Sequence, residues 1–402
     1  MANRLKEILD RQAIKLIHKF ITMKRKALIP VLILLILIKV NVFAQTEKAE
    51  ASIQAIMQQT NVVGISVAVV KNNKIIYTHS FGYKDLETKQ PLTDDCIFRI
   101  ASISKSFSAT SIMQLVGAGK VSLDDDVSNL IGFTVRNPKF PETVITLRTI
   151  LQHRSSINDS QGYFSLDSIN PATNPNWAKC YNSYEPGKGY MYCNLNYNMT
   201  GAIIEKLSGE RFDLYVKHHI LDPLHLYGGY CVDSLDKNRF ATIYEYNTDS
   251  SKFISSPNAY APRREEIAHY QMGKSTPIFS PTGGMKISAT DLAKYMIMHS
   301  KFGRYKYAKI MSKKSAKEMQ TKVSEEDGYG MAIETQENLI KGKTMKGHTG
   351  SAYGLYSGMF FNSKEKFGFV VITNGCGPKY EDGFNGLIKN TINSLYDSFI
   401  LK

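Results

Sequence analysis

Strand-forming runs lie at the two ends of this chain, and a long helical stretch separates them. Gly64–Val70 (GISVAVV) is a short, mostly apolar strand-like run, Asn72-Asn73 marks a turn, and Lys74–Phe81 follows. The two runs read as a hairpin. From residue 120 to about 300 the apolar spacing is mostly helical with long polar loops, as at Leu147–Gln152, Asn196–Leu207, Phe212–His219 and Ala289–His299. Strands return at Tyr329–Glu334, Tyr356–Asn362 and Phe367–Thr373, with Lys364-Glu365-Lys366 in the turn between the last two. Helical patterns over Ala49–Gln59 and Asp382–Phe399 frame the whole. These elements predict one antiparallel sheet built from both ends of the chain and flanked by the terminal helices. A mostly helical lobe is inserted into it, so the class is α+β. A cleft between the two lobes is the expected place for a site.

The formal net charge of +14 suggests a polyanionic partner until it is divided along the chain. Residues 1–44 hold nine Lys and Arg against two acids, so half of the excess belongs to this short leader. The remainder is a mildly basic surface without a Lys/Arg-rich run, which argues against nucleic-acid binding. Within the leader, Lys24-Arg25-Lys26 precedes an apolar stretch over Ala27–Ile38. Val42-Phe43-Ala44 then places small residues first and third before Gln45. These are the parts of a secretory signal peptide. The apolar stretch is shorter than the roughly 20 residues of a bilayer span. Lys39 interrupts it, so an uncleaved N-terminal anchor is the alternative reading. Either way, residues 45–402 are expected as one extracytoplasmic domain, periplasmic or secreted, that meets a membrane only through the leader. Five cysteines without a CxxC pair and nine histidines without an HExxH motif give no reason to expect a metal or cofactor.

Three short motifs carry chemistry. Ser102-Ile103-Ser104-Lys105 sits between an apolar strand-like run and an apolar helix that extends to about Ala118. A lysine three residues on lies one turn away, on the nucleophile's side of the helix. Its amine can help deprotonate the serine hydroxyl. Ser-x-x-Lys also occurs at Ser234–Lys237 and Ser363–Lys366, without that context. Tyr192-Cys193-Asn194 puts a phenol and an amide on one side of an extended segment. A phenol beside an ammonium is expected to have a lowered pKa and to shuttle a proton. His348-Thr349-Gly350-Ser351 lies just before Tyr356–Asn362, where Gly350 would let backbone approach a ligand closely.

In this order and context the motifs resemble the serine β-lactamase and penicillin-binding-protein superfamily, and specifically the class C β-lactamase-related serine hydrolases. Phe98-Arg99-Ile100-Ala101-Ser102-Ile103-Ser104-Lys105 resembles the family's nucleophile run, and Tyr192-Cys193-Asn194 its Tyr-x-Asn. His348-Thr349-Gly350 resembles its Lys/His-Thr-Gly strand. Ile150–Ser156 and Pro281–Met285 are similar to two supporting stretches. The resemblance covers about residues 48–399. It implies a β-lactamase/transpeptidase-like fold and an acyl-enzyme on Ser102, with proton transfer by Lys105 and Tyr192. The backbone N–H groups of Ser102 and Ser351 would hold the oxyanion. Asn194 would contact the acyl amide, and His348 and Thr349 a substrate's polar end. His348 stands where true class C β-lactamases have Lys, Ser156 where the family has Gly, and Cys193 where it has Ser. His153 fits a structural role. The implied substrate is a β-lactam, a D-amino-acid peptide or amide derived from peptidoglycan, or a small ester. A non-catalytic binding or sensor module is the alternative from another class.

Overall fold

The computed structural model describes residues 45–401, so the expectations for the leader lie outside the described residues. Helix α1 spans residues 45–60. Strands β1 (Gly64–Lys71), β2 (Lys74–Asp85) and β3 (Gln90–Pro91) follow, then helices α2 (Ser104–Gly117), α3 (Asn194–Ser208) and α4 (Ala289–Ser300). The chain then returns to strands at β4 (Glu334–Ile340), β5 (Lys343–Ala352), β6 (Leu355–Asn362) and β7 (Phe367–Thr373), and ends in α5 (Gly386–Phe399). The strands form one seven-stranded sheet in the order β4-β5-β6-β7-β1-β2-β3. Its pairings are antiparallel. The expected α+β architecture therefore holds. No helix among the described residues is long and apolar enough to cross a membrane.

β1 joins the two ends of the chain, from Ile65 opposite Thr373 to Lys71 opposite Phe367. Its apolar run, interrupted only by Ser66, follows from burial on both faces. Ile65, Val67 and Val69 pack with Ala49 and Ile53 of α1 and with Ile388, Ile392 and Leu395 of α5. Ala68 and Val70 face the other core, with Leu292 and Met296 of α4 and Phe107 and Ile112 of α2. Helix α2 runs through that second core. Eleven of its residues are buried, including four serines, so it has no polar face to give it an amphipathic signature.

Two expected boundaries are corrected, those of the strand at Tyr329 and of the last helix, and the strand expected over the His348 motif is longer than the motif. Tyr329–Glu334 is not a strand, because Ala332 takes φ +57° and breaks the extension. The strand begins at Glu334, and its polar run is that of an edge strand, half exposed. β5 is a full strand over the His348 motif, with Tyr353-Gly354 as the two-residue turn into β6. The last helix starts at Gly386 rather than Asp382. Tyr380–Glu381 pairs with Phe384–Asn385, and the Asn385 side chain caps Leu387 N–H at 3.1 Å.

Candidate active site

The short strand Phe98–Arg99 pairs with Lys286–Ile287 and delivers the chain to a tight turn, Ala101–Ile103, from which α2 continues. Ala101 has φ +46°, which for a non-glycine residue is strained by about 1–3 kcal/mol. The surroundings hold it there. Ile100 N–H donates to Met285 O at 3.0 Å, Met285 N–H donates to Ser104 Oγ at 3.0 Å, and Ser357 Oγ of β6 donates to Ile100 O at 3.0 Å. The strained turn leaves Ser102 partly exposed in a cleft of about 430 Å³ between the sheet and the helical lobe. Tyr192, Asn194, Thr282 and Ser351 share that cleft. A larger groove of about 790 Å³, by Met57, Tyr83 and Tyr246, has no lysine among its lining residues.

Lys105 is fully buried beneath Ser102. Its Nζ donates to Ser102 Oγ at 3.1 Å, to Asn194 Oδ1 at 2.9 Å and to Thr282 O at 3.0 Å. Burial lowers its pKa from 10.5 to about 7, against the opposing pull of Asp159. Two of its three partners are carbonyl oxygens and can only accept, so they hold two N–H groups permanently. The third direction, a proton or a lone pair according to pH, points at the serine.

Tyr192 is placed as expected, with its ring 4.7 Å from Lys105 Nζ. Its pKa moves opposite to expectation. Burial raises it well above 10 and outweighs the lowering by Ser102. The phenol is therefore protonated at neutral pH, a donor rather than a base.

Asn194 opens α3, and its amide is held on both sides. Oδ1 accepts from Lys105 and from Thr282 Oγ1 at 2.9 Å, while Nδ2 donates to Asp159 Oδ2 at 3.0 Å. Asp159 also accepts from the backbone N–H groups of Asn194 at 2.8 Å and Leu195 at 3.0 Å, and from the Cys193 thiol at 3.2 Å. It thus caps the positive end of α3 from another loop and turns the Asn194 carbonyl toward Lys105. Sequence reading missed Asp159, since Asn158-Asp159-Ser160 has only the look of a turn. Cys193 stays a thiol, its pKa held well above 9 by burial, and all five cysteines are free.

The third motif departs most from expectation. His348 is 2% exposed and does not line the cleft. Its Nδ1–H donates to Thr349 O at 2.5 Å, and Nε2 accepts from Tyr329 Oη at 3.1 Å, with Glu334 Oε1 3.5 Å away. Burial lowers its pKa despite Glu334, so the ring is neutral. Both nitrogens are used, which corrects the expectation that it meets a substrate's polar end. It stands instead behind Tyr192, with ring centroids 6.2 Å apart. Thr349 takes the alternate face of β5 and is half-buried, outside the cleft lining. Gly350 allows a close approach, but of protein rather than ligand: a Cβ there would run into Ile100 O and Ser357 Oγ. Ser351 is exposed in the cleft. His348→Ala is therefore expected to lower kcat about tenfold for an anionic cephalosporin and a neutral ester alike. A KM rise confined to the anionic substrate would restore direct contact.

His153 is structural, as expected. Its Nδ1 accepts from Cys193 N–H at 3.1 Å, and burial keeps it neutral. Ser156, where the resemblance has Gly, does take a glycine-like φ of +65°. Its hydroxyl donates to Tyr184 O at 2.6 Å.

A lysine rather than a histidine facing the nucleophile, on this fold, marks a particular class of serine hydrolase. The chain belongs to the Beta-lactamase family, whose pattern matches residues 49–390. It is 24% identical over 82% of its length to Protein flp of Staphylococcus aureus (strain MRSA252), of which it covers 62%. The chain thus spans about three fifths of that relative's length. Among solved structures it is similar to an octameric penicillin-binding protein homologue from Pyrococcus abyssi. That match has a TM-score of 0.68 and 26% identity, over 89% of this chain and 77% of that one. The D-amino acid amidase from Ochrobactrum anthropi SV3 shares the fold, with a TM-score of 0.68 and 21% identity, over 88% of this chain and 99% of that one.

Proposed function

We propose that this protein is an exported acyl-transferring hydrolase that opens a small amide, either a β-lactam or a peptidoglycan-derived D-amino-acid peptide or amide. The observation that carries the reading is the fixed lysine. With Asn194 Oδ1 and Thr282 O holding two N–H groups, the free pair of neutral Lys105 can point only at Ser102 Oγ. The basic leader supports export.

In the forward step Lys105 takes the hydroxyl proton as Ser102 Oγ bonds to the substrate carbonyl carbon. The carbonyl electron pair moves to oxygen, where the backbone N–H groups of Ser102 and Ser351 receive it; each such donor is worth about 3–4 kcal/mol. As the carbonyl re-forms, the C–N bond breaks. Tyr192 gives its proton to the leaving nitrogen and regains one from the Lys105 ammonium. Water then attacks the ester by the same route and frees the acid and Ser102. The remaining Nδ2 hydrogen of Asn194 is free to meet the carbonyl of an amide on the substrate's acyl side chain.

A fluorescent penicillin should label wild-type protein covalently at Ser102. Ser102→Ala should fold normally, take no label and lose at least about a thousandfold in turnover. Labelling elsewhere, or turnover retained by the alanine variant, would discard the reading. A panel of cephalosporin, D-Ala-D-Ala peptide and short-chain ester ranks the substrates. Turnover of the ester alone would make the protein an esterase, and binding without turnover a sensor.

A further inference from the structure

Of the described side chains that line the cleft, Arg99 alone carries a charge. Its Nε donates to Gly283 O at 2.9 Å, and its guanidinium lies 5.0 Å from the centre of the Tyr353 ring. No carboxylate among the described residues is within ion-pair distance of it. The charged group nearest in influence is another cation, Arg263. The guanidinium is largely desolvated, which opposes its charge. A mostly buried cation without an acidic partner is unusual for a folded protein. It is provided for when an anion arrives from outside.

The place is informative. Arg99 and Lys105 reach the consecutive carbonyls of Gly283 and Thr282, so the guanidinium head lies about one residue from the base. Strand β5 supplies a ruler for the direction. At one end His348 stands behind Tyr192, the acid that serves the leaving group. Ser351, three residues on, offers the oxyanion donor. Beyond it lies Tyr353, against which Arg99 stacks. At about 3.3 Å per residue, His348 and Ala352 are roughly 13 Å apart. A substrate carbonyl at Ser351 thus has its leaving group toward Tyr192 and its acyl part toward Arg99. Since His348 is walled in and neutral, it supplies no anchor for an anion.

We infer that Arg99 is a specificity-determining residue that binds an anionic group, a carboxylate in the simplest case, carried on the acyl side of the scissile bond. Two free N–H edges of the guanidinium suit a carboxylate in bidentate fashion, and the Tyr353 face keeps it from turning away. This rests on the acyl-transfer reading for its orientation, and names the substrate class of the same site: acyl chains that end in, or carry, a carboxylate.

The test compares three p-nitrophenyl or carboxyphenyl esters: mono-p-nitrophenyl glutarate, p-nitrophenyl pentanoate, and 4-carboxyphenyl pentanoate, whose charge is on the leaving group. Wild type should prefer the glutaryl ester in kcat/KM. Arg99→Gln should lose at least about tenfold on it, mainly through KM, and stay within about twofold on both pentanoates. Arg99→Lys should recover part of the loss. Equal losses on all three esters, or a loss that follows the leaving-group carboxylate, overturns the proposal. A separate arm needs no catalysis: calorimetry of monomethyl glutarate with Ser102→Ala protein should show binding that Arg99→Gln in that background removes. Absence of that binding refutes the Arg99 site. Its presence without turnover or Ser102 labelling by any substrate supports the site and refutes the hydrolase instead.

Discussion

Lys105→Met is expected to lower kcat by about a thousandfold and, at pH 6, to make the protein more stable. The loss follows from the loss of the base. With the lysine present, activity should fall about tenfold for each pH unit below about 7, where the buried amine becomes protonated. The variant should lack that limb altogether. The gain in stability comes from the same pKa. The folded value lies below the unfolded one, so the unfolded chain binds the proton more tightly between about pH 7 and 10.5. Stability of the wild type therefore rises with pH across that window, and the full penalty of roughly 3–5 kcal/mol is present below it. Methionine fills a similar volume without charge. It leaves the Thr282 carbonyl unpartnered, which offsets part of the gain, so a net increase of about 1–3 kcal/mol remains at pH 6. Urea denaturation at pH 6 and pH 9 measures it, and the difference between the proteins should shrink at the higher pH. A variant less stable than wild type at pH 6 would mean that the amine is not held against its charge.

Gly350→Ala should be nearly as harmful to activity, and harmful to stability as well. No ligand needs to touch the new methyl group. It would lie in Ile100 O and Ser357 Oγ and 3.2 Å from the Ala101 Cβ, the three atoms that fix the nucleophile's turn. Either β5 moves out or the Ile100–Ala101 turn moves down, and the Ser357–Ile100 hydrogen bond is lost with it. Overpacking and the broken bond together cost about 2–4 kcal/mol. Ser102 would be displaced from Lys105 and from the Ser351 backbone, which should lower kcat at least about a hundredfold. A thermal melt with turnover of the best substrate checks both numbers. Full activity in a stable variant would show that the strand and turn are less closely bound than they stand here.

Much of this arrangement was legible in the residues. The hairpin of β1 and β2, the helix after Ser102, and β6 and β7 all carry local apolar patterns strong enough to declare themselves. A helical turn dictates the spacing of Ser102 and Lys105, and an extended tripeptide that of Tyr192 and Asn194, while the order of the motifs along the chain pointed to the tertiary contact that brings the two pairs together. The polar strands β4 and β5 were harder. Glu334–Ile340 is an edge, and Lys343–Ala352 is stabilised by its pairing with β6 rather than by its own propensity. What could not be read was anything set by burial. A tyrosine beside a lysine suggests a lowered pKa until both are found deep in the protein, where desolvation raises one and lowers the other. His348 looked available because its motif lies on a strand, and only the packing of Tyr329 and Glu334 removes it from the cleft. Asp159 needs a loop to fold back onto α3, which no local pattern announces.

The central position of β1 also sets a timetable. Its flanking partner β7 is made some three hundred residues later, as Gly64 meets the Thr373 hydroxyl at 2.7 Å. Until then the N-terminal hairpin has an open side, and the Ser357 hydroxyl that pins the nucleophile's turn does not yet exist. A nascent chain thus carries its serine and lysine for most of synthesis without an assembled centre. It matures only when its last strands close the sheet, a long-range pairing that is slow by nature.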